Sequence, residues 1–98
     1  MSDLSILNKF APYGSLLETH IRNSISTKSE VLFSGWSKDE LRNVIKKYTF
    51  KDGVLTFILQ EGDNLNVDLN IYKIRHSSSI ETEFYLSKGN DDYYVLIF

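Results

Sequence analysis

From Leu65 to Phe98 apolar and polar residues alternate almost without a break. Leu65, Val67, Leu69 and Ile71 fall on one side, and Asn66, Asp68 and Asn70 on the other. A period of two over this length predicts a half-buried antiparallel strand. The turn-forming clusters Glu61–Asn64, Arg75–Ser79 and Ser87–Asp92 cut the second half of the chain into segments. The strands expected are a short stretch near 48–51, then 54–60, 65–74, 79–86 and 92–98. Lys51-Asp52-Gly53 reads as a three-residue hairpin loop with Gly53 free to take positive φ.

Side-chain parity then sets an expected register. The odd residues Leu65 to Ile71 must share a face with Ile80, Thr82, Phe84 and Leu86, because a one-residue slip sends every apolar group into water. This places Glu83 opposite Asn70, Tyr85 opposite Asp68 and Glu81 opposite Tyr72 on the outer face. The last strand differs: Tyr93, Val95 and Ile97 alternate with Tyr94, Leu96 and Phe98, so both sides are apolar. Either a second layer covers it, or Tyr94, Leu96 and Phe98 join Tyr72 and Tyr85 in an aromatic patch rimmed by acids.

The first half reads as helices. Ser2 or Asp3 caps a short one through Leu4, Leu7 and Phe10, which Pro12 and Gly14 end. Ser15-Leu16-Leu17-Glu18 has the form of a capping box, followed by a buried stripe of Leu17 and Ile21, with Leu16 as a further candidate, running to about Ser24. Ile25 to Gly35 admits two readings, a further turn capped at Thr27-Lys28-Ser29-Glu30 or a short strand at Val31-Leu32-Phe33, and the strand is the one preferred. From Lys38 to about Lys47 a second capping box (Ser37, Glu40), a staple (Trp36, Leu41) and the spacing of Leu41, Val44, Ile45 and Tyr48 predict a further helix. The architecture expected is therefore α+β: two or three N-terminal helices packed on a C-terminal four- to five-stranded antiparallel meander. One domain spans 1–98, helical to about 47 and sheet from about 48.

Composition narrows the chemistry. The 98 residues include no cysteine, which removes disulfides and thiolate metal sites. Hydrophobic residues at 42% and charged residues at 24% suit a globular domain. No apolar run approaches the roughly 20 residues that span a bilayer. The first residues lack the basic and apolar regions of a secretory signal, so a cytoplasmic location is expected. Residues 1–50 hold seven Lys/Arg against five Asp/Glu, and residues 51–98 hold four against eight. The sheet is thus the acidic half, and acidic faces steer basic partners.

Catalytic signatures are absent from the sequence. His76 beside Ser77-Ser78-Ser79 reads as a serine-rich turn, and His20 as a surface residue. Glu81 and Glu83, with Asp68 nearby, read as a solvated face rather than an acid–base pair or cation site. The five glycines are scattered singly, with no phosphate-binding loop. Lys38, Arg42 and Lys46 form one basic stripe, but a pI near 5.6 lacks the footprint of a nucleic-acid binder.

The reading that follows is a small non-enzymatic protein-binding module without cofactor or metal. It resembles inhibitors and neutralisers, phage anti-defence or toxin-immunity proteins, in kind alone. The expected partner is a protein with a basic surface; neither nucleic acid nor membrane is expected, and a homodimer is a further possibility. Its expected binding residues are Asp68, Tyr72, Glu81, Glu83, Tyr85, Tyr94, Asp91 and Asp92. The alternative is a small-ligand or simple acid–base domain with a pocket between helices and curved sheet, using Thr56, Thr82 or Lys73.

Overall fold

The structure is a computed structural model that describes residues 7, 10, 13–35, 40–89 and 92–98. One helix, α1 (Gly14–Thr27), precedes seven strands: β1 (Glu30–Ser34), β2 (Leu41–Lys51), β3 (Val54–Leu59), β4 (Leu65–Asp68), β5 (Lys73–His76), β6 (Glu83–Lys88) and β7 (Asp92–Ile97). All pairings are antiparallel, in the order β4-β3-β2-β1-β7-β6-β5. The expectation of two or three helices on a four- to five-stranded meander is thus overturned: among the described residues there is one helix, on a seven-stranded sheet. The short helix expected through Leu4 to Phe10 falls largely outside the described residues.

The largest correction is residues 41–47, read as part of a helix from Lys38 to about Lys47 and found, together with the strand expected near 48–51, in the longest strand, β2. The cause is a β-bulge. Ile45 pairs with Leu59 but Lys47 pairs with Ile58, so one extra residue enters β2 there. Before the bulge Asn43 and Ile45 face inward; after it Tyr48 and Phe50 do. The bulge changes a spacing of two into the spacing of three between Ile45 and Tyr48, which imitates one helical turn. Of the capping signals, Trp36 and Ser37 lie outside the described residues, and Glu40 and Leu41 are exposed.

Strand order forces the sheet to curl. β4 and β5 are its two edges, yet only residues 69–72 separate them in sequence. Across a flat seven-stranded sheet the edges stand roughly 29 Å apart. The link from Asp68 to Lys73 reaches about 18 Å at full extension, and it is not extended: the Tyr72 amide donates to the Asp68 carbonyl at 2.8 Å. The sheet therefore wraps on itself, with the bulge in β2 as one bend. Phe33 of β1 meets Phe57 of β3 edge to face inside, at 5.8 Å between ring centroids.

The interior is filled by Val31, Phe33, Leu55, Phe57, Val67, Phe84, Leu86 and Leu96 from the strands and by Leu17 and Ile21 from α1. On α1 these two form the expected apolar stripe, with Glu18 buried beside them. No capping box forms: Tyr13 is the N-cap without a side-chain bond, and Glu18 turns inward. There its carboxylate accepts the Leu7 amide at 3.0 Å, the Tyr48 hydroxyl, and the Arg22 guanidinium at 3.5 Å. Arg22 Nε also donates to the Tyr48 hydroxyl at 2.9 Å. This cluster joins α1 to β2 just beyond the bulge.

Register differs from the parity argument in the same region. The alternating run 65–74 breaks at residues 69–72, where the Asp68 carboxylate accepts the Asn70 amide at 2.9 Å in an Asx turn. Its first part pairs with β3 (Leu55 with Val67) and its last part with β6 (Arg75 with Tyr85). Between β2 and β3 the loop is two residues, Asp52 and Gly53, both at positive φ (56° and 83°). That is the primed turn whose twist suits a hairpin.

Candidate functional site

The strand faces sort the expected binding residues into separate places. Glu83 and Tyr85 lie on the outer face of β6, half-buried. Tyr72 and Tyr94 face inward and stack at 5.0 Å between centroids, with the Lys88 ammonium 5.7 Å from the Tyr72 ring. Leu96 and Phe98 also turn inward, so the outward group on β7 is Tyr93, Val95 and Ile97. Asp68 stands on β4, at the other end of the strand order, and Glu81 is exposed in the turn before β6. Asp91 lies outside the described residues, and Asp92 opens β7. The structure thus keeps two of the eight on one face and supplies other neighbours for them.

Those neighbours form three rows. Arg42, Leu32, Ile97 and Glu83 stand side by side across β2, β1, β7 and β6. Ser34, Val95, Tyr85 and Arg75 make the next row, and Tyr93, Ser87 and Lys73 the third. Leu32, Val95, Ile97 and Tyr85 are half-buried, and Tyr93 is 51% exposed. Tyr85 and Tyr93 meet edge to face at 6.3 Å. Burial pushes the Tyr85 hydroxyl above the ordinary phenol range, and its hydrogen bond to Glu83 adds to this. The face therefore has an apolar, aromatic centre, with Arg42, Arg75, Lys73 and Glu83 around it. In the three rows cations outnumber anions, whereas the sequence predicted an acidic sheet face.

Parity on β7 was the ambiguous step, because both of its sides are apolar. One signal that resolves it is Gly35, at φ 103°, where a Cβ would sit 2.7 Å from the Tyr93 carbonyl. Backbones approach closely there, and the pairing of β1 with β7 fixes Leu96 beside the buried Phe33.

The histidines and serines do not converge on a reactive arrangement. Ser77 Oγ accepts the Ser79 and Ile80 amides at 3.2 and 3.0 Å. His76 Nε2 lies 2.6 Å from the Glu81 carbonyl, and its ring packs 4.7 Å from Phe84. His20, expected at the surface, is half-buried against Phe84 and Phe98. Among the described residues no three His, Cys, Asp or Glu are grouped to hold a metal ion. No described helix is long and apolar enough to cross a membrane.

Hollows open among the described residues. One of about 510 Å³ lies at the β2 bulge between Ile25, Lys28, Val44, Ile45, Lys46 and Gln60. One of about 280 Å³ opens between Lys73, Arg75, Ser87 and Lys88, and one of about 230 Å³ lies beside His20, Glu30 and Thr82. Of the polar residues expected to point into a pocket, Thr56 instead bonds Asn66 across the outer face at 2.7 Å, and Lys73 is exposed.

No protein-family model matches the chain, and no curated protein or solved structure matches it either.

Proposed function

We propose that this chain is a protein-binding module that docks a partner on the outer face of β1, β7, β6 and β5, inhibiting or neutralising it. The observation that carries the reading is the contiguous centre of Leu32, Val95, Ile97, Tyr85 and Tyr93 inside a charged rim. Aromatic and aliphatic side chains within a polar rim are the composition of interface cores. The tyrosines meet edge to face instead of offering open ring faces, and Glu83 sits among them; both favour a protein over a stacked, phosphate-bearing strand. With Arg42, Arg75 and Lys73 around the centre, the surface that fits is acidic.

The test is capture by the immobilised full chain, compared with Val95→Asp and with Asn66→Asp on the outer face of β4. Partners bound by wild type and by Asn66→Asp, but lost from Val95→Asp, support the reading. Equal capture by all three overturns it.

A second reading rests on the hollow at the β2 bulge. Its apolar floor of Ile25, Val44 and Ile45 between Lys28 and Lys46 suits a small amphipathic anion. A thermal shift with medium-chain fatty acids, lost in Lys28→Glu, supports that reading.

A further inference from the structure

β5 is an edge strand: it pairs with β6 on one side, and no described strand pairs with the other. The Ser77 amide donates to the Glu83 carbonyl at 3.0 Å, so Ser77, Arg75 and Lys73 turn their backbone groups toward β6. By antiparallel alternation, Ile74 and His76 turn theirs to the other side, where no described strand pairs. On the outer face of this strand, Lys73 and Arg75 stand two residues apart, a spacing of about 7 Å. Neither forms an ion pair with a described residue. Between them and β6 lies the 280 Å³ hollow, completed by Ser87, Lys88, Gly89 and Ile71, with no acid among the described residues of its lining.

Resting on the docking face proposed above, we infer that β5 receives an extended acidic segment of the partner protein as an added strand. Backbone bonds to Ile74 and His76 supply the pairing, and alternate carboxylates lie beside Lys73 and Arg75. An extended segment repeats its side chains on one face every second residue, the same interval as the two cations. The Lys88 ammonium against the Tyr72 ring places a third positive charge at the end of the strand. Cations on an edge also deter edge-to-edge aggregation. The two roles separate by what an acidic strand does when it is offered.

The test uses the isotope-labelled full chain and a blocked octapeptide of alternating glutamate and threonine, with the lysine–threonine counterpart as control. The expected result is a saturable shift of the amide resonances of 73–77, with hydrogen exchange at Ile74 and His76 slowed about tenfold. The lysine peptide produces neither effect, and Lys73→Glu/Arg75→Glu, which changes two exposed side chains, loses both. Unchanged exchange at Ile74 and His76 in saturating acidic peptide overturns the inference, as does an equal response to the lysine peptide. The same shifts with inorganic phosphate or a single-stranded oligonucleotide overturn it too, in favour of an anion site at the hollow. Failure of the docking face looks different: the peptide binds β5, but Val95→Asp changes no capture. A partner captured through Val95 and indifferent to Lys73→Glu/Arg75→Glu leaves the face and removes the added strand.

Discussion

Replacing Glu18 by glutamine probes the joint between helix and sheet most sharply. The carboxylate is 1% exposed and takes donors from three elements: the Leu7 amide, the Arg22 guanidinium and the Tyr48 hydroxyl. Glutamine has nearly the same shape but keeps one acceptor oxygen, which replaces either the oxygen that takes the Leu7 amide or the one that takes Arg22 and Tyr48, not both. In the first case its NH₂ faces a hydroxyl that already accepts from Arg22 Nε. Charge-assisted bonds contribute about 1.5–3 kcal/mol each, and part of that is recovered by rearrangement of the Tyr48 hydroxyl. The expected loss is about 2–3 kcal/mol, or roughly 10–20 °C in Tm for a domain of this size. Glu18→Ala leaves all three donors without their carboxylate and opens a cavity, and is expected to cost about 3–5 kcal/mol. Urea denaturation of Glu18→Gln, Tyr48→Phe and the double variant measures the coupling. A coupling of about 1 kcal/mol or more fits residues in one network. Glu18→Gln within about 0.5 kcal/mol of wild type refutes the reasoning, because that is the scale of surface changes away from such features.

Burial, with the Glu18 hydrogen bond second, raises the Tyr48 pKa above its ordinary 10.0. The folded chain therefore holds this proton more tightly than the unfolded chain. Its contribution is complete below about pH 10 and is lost as pH rises through the raised value. Chemical denaturation between pH 8 and pH 12 is expected to show a steeper alkaline fall in wild type than in Tyr48→Phe. Gly53→Ala places a Cβ 2.1 Å from Asn70 Nδ2 at φ 83°, and is expected to cost about 1–3 kcal/mol; Asn70→Ala in the same background should restore part of it. Val95→Asp, on a half-buried outer position, is expected to remove partner capture while circular dichroism keeps the wild-type sheet signal. Deleting Lys46 removes the extra residue of the bulge and leaves an unbroken alternation in which Ile45, Tyr48 and Phe50 all stay inward, so the chain should still unfold cooperatively in urea, at a midpoint lowered only by loss of the bend.

Much of the second half was legible because strand periodicity survives wherever one face is buried. Leu55, Phe57 and Leu59 alternate cleanly, and Asp52-Gly53 marks its hairpin. The first half failed at one residue. A bulge has no signature in hydrophobic spacing, and in β2 it produced the spacing of a helix while β-branched Val44, Ile45 and Thr49 pointed to a strand. Strand propensity was the better guide there. The Asx turn at Asp68 was overlooked because alternation runs through it, so two strands at opposite edges were read as one. That error carried into the candidate site, since it placed Asp68 opposite Tyr85. Glu83 and Tyr85 were placed on the outer face correctly because β6 has a single apolar side, whereas β7 has two and its parity was open.

The central claim is that the face centred on Val95 and Tyr93 meets a partner. A photo-reactive phenylalanine at position 93, and the same residue at position 66 on the outer face of β4, test it directly in the full chain. The account predicts a discrete adduct with another protein from position 93, weakened by salt, and none from position 66. Equal labelling from both positions, or adducts from position 93 only with a second copy of this chain, contradicts it.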